Sequence, residues 1–144
     1  MAVSEYLLVR TLHVLAASMA LGGSVVLWLA FRVADDVSVT LLSWFEGLFW
    51  GTAGLLVFTG LGNLVAFGVP DATTTRGTAL TLKLGVLLVL VLGSIVRTFA
   101  VVRYERLEVC AVDADDDRLR WLYAGTGWCL AAVVVLAGVI ARGL

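Results

Sequence analysis

The stretch TALTLKLGVLLVLVLGSIVRTFAVVR, residues 78–103, decides the fold of this chain. Its only charged residues are Lys83, Arg97 and the closing Arg103, and almost all the others are apolar. A helix that crosses a bilayer needs about 20 such residues at a rise of about 1.5 Å each. The stretch is too long for a strand and lacks the alternation of a barrel strand. It therefore predicts a transmembrane helix.

Three other stretches are also long enough and apolar enough to cross a bilayer. The four spans are predicted at about residues 6–33, 39–69, 77–103 and 119–141, within a single domain of residues 1–144. Short connections favour neighbours that run in opposite directions. The predicted fold class is therefore all-α: an integral membrane protein with an antiparallel four-helix transmembrane bundle. The first span carries Glu5 ahead of Arg10 and outlasts a typical signal core, so we expect it to be retained.

The composition excludes two broad classes of protein. Of the 144 residues, 61% are hydrophobic and 15% are charged, and the mean hydropathy is +1.03. A soluble domain is nearer half apolar and a quarter charged, which excludes an ordinary soluble enzyme. A net charge of −1 with no basic stripe excludes a nucleic-acid-binding protein. The predicted partners are the lipid bilayer and either a second copy of the chain or other subunits of a membrane complex.

The cationic residues predict the orientation in the cell membrane, because cytoplasmic loops carry the excess of Lys and Arg. The prediction is a multi-pass protein with its first and third loops in the cytoplasm and both termini extracytoplasmic. Trp44, Trp121 and Tyr123, near the cytoplasmic ends, are interpreted as interface anchors. The cytoplasmic set is Arg32, Arg97, Arg103, Arg106, Arg118 and Arg120, and the smaller opposite set is Arg10, Arg76, Lys83 and Arg142.

Small residues predict where the helices pack, because close approach of the backbones drives association inside a bilayer. In the first span four of them recur every three or four residues and so share one face. In the second span two glycines stand at GxxxG spacing with a third beyond them. The first set is Ala16, Ala17, Ala20 and Ser24, and the second is Gly47, Gly51 and Gly54.

The longest connection, RYERLEVCAVDADDDRLR at residues 103–120, carries a cluster of aspartates. We interpret it as the solvated start of the fourth helix, where carboxylates suit the positive end of the helix dipole. A divalent-cation site is the alternative, although the glycine and the distal glutamate of a calcium loop are missing.

Ionisable residues inside a span are informative, because they are costly unless they face protein, water or a partner. His13, the one histidine, lies about 10 Å into the first span on the face of Ala16 and Ala20. Lys83 lies about 9 Å into the third span from the same side. This shared depth predicts a ligand site in the outer half of the membrane. His13 is interpreted as a haem or metal ligand or as a hydrogen-bonded packing residue, and Lys83 as a carboxylate-binding or an outward-reaching lysine.

Asn63 and Arg10 complete the predicted ligand-binding set. Asn63 lies at a similar depth, and it lines the same pocket if the second span is rotated or broken near Gly60 and Gly62. Arg10 stands one turn from His13, where it either closes the site or extends to the outer surface.

Glu46 and Arg97 form a second predicted pair, in the other half of the membrane. Each lies about 10 Å from the cytoplasmic end of its span. A carboxylate and a guanidinium at one depth predict an intramembrane ion pair that sets the register of the two helices. A proton or ion relay is the alternative.

Three stretches of the chain resemble a known family. RTLHVLAASMALGG (residues 10–23) resembles the first helix of CopD-like membrane domains. LLVFTGLGNLVAFG (55–68) and TALTLKLGVLLVLVLG (78–93) resemble the helix pair of that family, with its TG and LKL steps. The same order is similar to HemJ-type protoporphyrinogen oxidases, in which an early histidine and a third-helix lysine are associated with haem. The matching positions are His13 and Lys83, and the resemblance covers about residues 5–103.

The resemblance implies a transporter or carrier that binds haem b or copper, with His13 as the metal ligand. One alternative is a structural or assembly subunit of a membrane complex without its own chemistry, and another is a haem-pathway oxidase of the HemJ type. A bis-histidine haem would need a second ligand type or a second copy of the chain, since His13 is the one histidine. No nucleophile elbow, phosphate loop, HExxH or CxxC is present in the sequence, so we expect a binding protein before an enzyme.

Overall fold

Residues 2–142, which the computed structural model describes, form four long helices and two short strands. All four helices are long and apolar enough to cross a membrane, by length and composition. The prediction of an all-α protein with four such helices is therefore confirmed. The elements in chain order are α1 (Ala2–Val33), β1 (Asp36–Ser38), α2 (Val39–Phe67), α3 (Thr75–Arg106), β2 (Ala111–Asp113) and α4 (Asp117–Arg142).

The helices form a four-helix bundle in which neighbours in sequence are also neighbours in space. α1 packs against α2 and α4, and α3 packs against the same two helices, so the four close into a ring. Three of the helices extend slightly beyond their predicted spans. α2 ends two residues before the predicted position 69, because Gly68 takes a positive φ of 77° and its N–H donates to the Leu64 carbonyl.

A two-stranded sheet ties the first and third loops together. β1 and β2 pair antiparallel with Val37 opposite Val112, and both of these side chains are buried. The sequence predicts no strand here, because the two segments are short and far apart in the chain. Pairing becomes available only when the bundle brings the ends of α1 and α3 to one side.

Different groups satisfy the first backbone N–H groups of α2 and α4. Ser38 stands at the N-cap position of α2, but its side chain makes no cap hydrogen bond. The Val39 N–H instead donates to the Cys110 carbonyl at 3.0 Å. In the acidic cluster, Asp116 caps α4, since its Oδ1 accepts from the backbone N–H groups of Arg118 at 3.1 Å and Leu119 at 3.4 Å.

The core is densest where the helices approach the sheet. Phe31 stacks on Tyr123 with ring centroids 5.6 Å apart, and Phe45 meets the same tyrosine edge-on at 5.6 Å. Tyr123 is fully buried, so its interpretation as an interface anchor is wrong. Trp44 and Trp121 are exposed over 76% and 70% of their surface, as anchors would be.

The small-residue prediction is correct for α1 and wrong for α2. Ala16, Ala20 and Ser24 are buried in the bundle. Gly47 and Gly51 lie on the outer surface, and a Cβ added to either would meet no atom of the described chain within 4 Å. The reason is the rotation of α2, which turns Phe45, Glu46 and Phe49 inward and the glycine face outward.

Candidate functional site

His13 faces α2 from the first half of α1. Its Nδ1 lies 2.6 Å from Thr59 Oγ1, and the ring is partly buried. The imidazole also packs next to Gly60, where a Cβ would lie at an ordinary contact distance of 3.7 Å from His13 Cε1. His13 is therefore in contact with the TG step of α2, which is formed by Thr59 and Gly60.

Thr59 Oγ1 lies within hydrogen-bond distance both of His13 and of its own helix. Its one proton serves one acceptor at a time, and the Leu55 carbonyl oxygen lies 2.7 Å away. When the hydroxyl donates to that carbonyl, its oxygen accepts from His13 Nδ1–H and the lone pair of the imidazole is on Nε2. Within residues 2–142 no group donates a hydrogen bond to Nε2. The imidazole thus offers an unused ligand atom.

Lys83 and Asn63 lie around the same end of the bundle. Lys83 is half-buried on α3 and pairs with no carboxylate of the described chain. Asn63 is half-buried one turn beyond Thr59 on α2, and its side chain makes no hydrogen bond to any described residue. Lys83 and Asn63 therefore both lie at the end of the bundle that contains His13.

Arg10 does not turn towards this site. It is exposed on α1 and its guanidinium lies 3.4 Å from the hydroxyl oxygen of Tyr6, on its own helix. Of the two predicted roles, the structure places the side chain on the surface and not over His13.

A metal at His13 would need ligands beyond the acidic and sulfur groups of this chain. Among the described residues, no three His, Cys, Asp or Glu side chains come together as a metal site would require. Cys110 is exposed in the loop between α3 and β2, and Cys129 is half-buried in α4.

The structure brings Glu46 and Arg97 together in the interior. Arg97 Nε donates to Glu46 Oε1 at 2.6 Å, and a terminal guanidinium nitrogen, Nη2, donates to Oε2 at 3.1 Å. Arg97 has no exposed surface and Glu46 is 6% exposed. The fork-to-fork geometry neutralises both charges and gives the pair a defined orientation.

Further side chains complete this pair, and sequence reasoning missed them. Glu46 also accepts from the Tyr123 hydroxyl at 2.9 Å and the Thr98 hydroxyl at 2.6 Å, while Arg97 donates to Thr126 Oγ1. Tyr123 and Thr126 stand three residues apart on α4, a spacing that places them on one face and could have identified them. The cluster links α2, α3 and α4. Because protein groups already satisfy the hydrogen bonds of the carboxylate and the guanidinium, the cluster leaves no place for a ligand.

Three aromatic rings surround the guanidinium. Arg97 Cζ lies 4.5 Å from the Phe49 centroid, 5.0 Å from that of Tyr123 and 5.3 Å from that of Phe45. Cation–π attraction therefore adds to the ion pair on the faces that the carboxylate does not cover. The arrangement is typical of a structural centre that determines helix register.

Comparison of the chain with protein-family models, with characterised proteins and with solved structures finds no match. The CopD-like and HemJ-like resemblance therefore stays a prediction.

Proposed function

We propose that this chain is a multi-pass protein of the cell membrane whose four helices cross the bilayer as an antiparallel bundle. Two contacts support this direction of the helices. His13, early in α1, meets Thr59, late in α2. Arg76, at the start of α3, donates from Nε to the carbonyl of Ile140 near the end of α4 at 2.9 Å. Opposite ends of successive helices are thus side by side.

The outer surface supports insertion into lipid. Large apolar side chains face outward along each helix, where water would make them costly and acyl chains would not. Moving apolar surface out of water is favourable by about 25 cal/mol for each Å². Insertion into lipid therefore stabilises these outward-facing side chains. Examples with half or more of their surface exposed are Leu8, Val26, Val57, Phe58, Leu88, Phe99 and Val135.

The orientation is tested at Cys110, which is exposed in the loop that the charge distribution assigns to the cytoplasm. In a Cys129→Ala background, a membrane-impermeant maleimide should label Cys110 in inside-out vesicles and spare it in intact cells. Labelling of intact cells would place the loop, and with it the sheet, outside.

Within this framework the chain binds a haem or a copper ion at His13, as a carrier or as one subunit of a transporter. The observation that carries this proposal is the contact of 2.6 Å between His13 Nδ1 and Thr59 Oγ1, because an Nδ1–H that donates to the threonine leaves Nε2 free for a metal. A neutral imidazole whose second nitrogen donates to a protein oxygen is the usual state of a metal-ligating histidine. Haem b is favoured over copper, because Lys83 offers a cation for a propionate and the exposed Cys110 lies in the loop after α3, at the other end of the bundle from His13.

His13 would hold the iron of a bound haem and the Lys83 ammonium would hold a propionate, while the haem would supply a ligand-exchange or electron-transfer centre. A second histidine ligand would have to come from another polypeptide, since His13 is the one histidine of the sequence. A second copy of the chain meets that need and makes the bound form a dimer.

The absorption spectrum of the protein purified in detergent, with metal analysis, tests this proposal. A Soret band, or copper in stoichiometric amount, is expected in the unmodified protein and absent from His13→Ala. Thr59→Val is the matched variant, because it keeps the imidazole and removes its orienting partner. Loss of an outer-shell partner lowers metal affinity about 10- to 100-fold. Unmodified protein without haem and copper after supplementation with each would contradict the proposal.

Two observations favour a second candidate function, that of an assembly subunit without its own chemistry. Gly47 and Gly51 face outward, where they would let another helix approach closely. His13 already has a threonine partner, as a packing histidine would. This candidate predicts that Gly47→Leu/Gly51→Leu abolishes association with a partner subunit in pull-down experiments, and that the purified protein contains neither haem nor copper.

A further inference from the structure

A groove of about 1090 Å³ opens between the last turns of α1 and the first turns of α4. It lies beside the sheet, at the opposite end of α1 from His13. None of the residues that line it belongs to the His13 site or to the Glu46–Arg97 cluster. The groove is therefore a separate feature of the molecule.

One end of the groove is polar and bears both signs of charge, with carboxylates in excess. The carboxylates come from the loop after α1 and from β2 and the turn that follows it, so the sheet brings them together. The guanidiniums come from the end of α1 and the start of α4. The charged residues are Asp35, Asp36, Asp113, Asp115, Arg32 and Arg120.

The wall of the groove that extends along the helices is aromatic. Trp28 on α1 faces Trp121 and Trp128 on α4, and the last two stand seven residues apart on one helix face. Trp121 and Trp128 are exposed over 70% and 76% of their surface, so protein leaves these two indoles largely uncovered. Trp28 is exposed over 38%, and the Arg32 guanidinium lies 4.8 Å from its ring centroid. Trp128 lies 11 residues beyond Asp117, which places it about 16 Å along the helix from the polar end.

We propose that this groove binds an aminophospholipid, phosphatidylethanolamine, from the leaflet on the side of the sheet. The excess of carboxylates favours a cation, and the guanidiniums of Arg32 and Arg120 favour a phosphate next to it. The polar end followed by an indole wall matches a headgroup followed by an acyl chain. A soluble amine would leave the indole wall uncovered. The inference rests on the membrane insertion proposed above.

The primary ammonium is the feature that the groove selects. It has three N–H donors for the carboxylates of Asp35 and Asp113, whereas the choline headgroup has none. The phosphatidylglycerol headgroup brings a net negative charge to a groove that is already acidic. The order of binding should therefore be phosphatidylethanolamine first, with the other two well below it.

Native mass spectrometry of the full chain from nanodiscs tests this order. With equal amounts of phosphatidylethanolamine, phosphatidylcholine and phosphatidylglycerol, we expect the retained lipid to be enriched about tenfold in the first. Asp35→Asn/Asp113→Asn should abolish the enrichment, because the amides keep the shape and lose the charge. Glu5→Gln/Glu105→Gln is the matched control, since it removes the same charge outside the groove and should retain the enrichment.

Equal retention of the three lipids, or a preference for either of the other two, would overturn the proposal. If the aspartate variant does not enter nanodiscs, a Trp44→Phe chain decides the matter, because that change removes an exposed indole outside the groove. Its fluorescence should be quenched more by brominated phosphatidylethanolamine than by brominated phosphatidylcholine, and equal quenching would refute the lipid site. Failure of the unmodified chain to enter nanodiscs would refute membrane insertion itself, which separates the two proposals.

Discussion

Arg97 and Glu46 meet in the interior through two hydrogen bonds, at 2.6 and 3.1 Å, with almost no exposed surface on either side chain. They stand 51 positions apart in the chain, on α3 and α2. The pair joins two helices that otherwise make less contact with each other than α3 makes with α4. It therefore determines how α2 and α3 are rotated and shifted against each other.

Arg97→Met should destabilise the protein strongly, because it leaves the Glu46 carboxylate buried and unpaired. Breaking such a pair costs about 3–5 kcal/mol in the free energy of unfolding. Glu46→Leu/Arg97→Met should be less destabilised than the sum of the single variants. Chemical unfolding in detergent measures both effects. Arg120→Gln is the control, since its ion pair with Asp117 is exposed and is worth about 1 kcal/mol or less, and an Arg97→Met chain as stable as this control would contradict the structural role.

Gly77→Ala should destabilise the start of α3. A Cβ at this position would clash with the Asp71 carbonyl oxygen, a backbone atom that cannot move without opening the turn. We expect a loss of about 1–3 kcal/mol, typical of overpacking at a rigid contact. Gly85→Ala on the same helix has open space around it and should be neutral or slightly stabilising, since alanine favours a helix. Thermal unfolding of the two variants in one detergent should separate them, and equal melting temperatures would contradict the contact.

Ser94→Ala should raise stability or leave it unchanged. Ser94 Oγ is the one buried side-chain polar atom in the described part of the chain that lacks a hydrogen-bond partner. Removing an unsatisfied group should stabilise the protein by about 1 kcal/mol. Ser24→Ala is the comparison, because the equally buried Ser24 hydroxyl donates to the Ala20 carbonyl at 2.9 Å. A Ser94→Ala chain that unfolds more readily than Ser24→Ala would show that Ser94 has a partner in solution.

Asp71, in the turn before α3, should titrate below its ordinary pKa of 3.8. Two hydrogen bonds from Thr73, one from the backbone N–H and one from the hydroxyl, stabilise the carboxylate and lower its pKa. A depressed pKa means that this contribution to stability is present above about pH 4 and is lost as the pH falls through the lowered value. Carboxyl NMR on the labelled protein measures the shift. Thr73→Ala keeps the backbone donor and removes the hydroxyl, so the pKa should rise part of the way towards 3.8, and no change would contradict the hydroxyl contribution.

The sequence could predict only those features of the candidate site that depend on one helix at a time. The depths of His13 and Lys83, and of Glu46 and Arg97, follow from their positions in long apolar stretches, because the rise of a helix is constant. Thr59 was not predicted as the partner of His13, although it belongs to the TG step, because nothing in one helix says which residue of the next will face it. Tyr123 was assigned to the surface because its place near a helix end is also typical of an anchor.

The sequence by itself determined the four long apolar helices and the heights of the ionisable residues along them. These depend on composition and on backbone geometry, which are properties of each segment alone. Only the tertiary structure decided which face of each helix turns inward, because the rotation of one helix against another is set by the side chains of both. That rotation placed Gly47 and Gly51 outside and Tyr123 beside Glu46. It also paired two short segments, 73 positions apart, into the sheet that completes the Trp-lined groove.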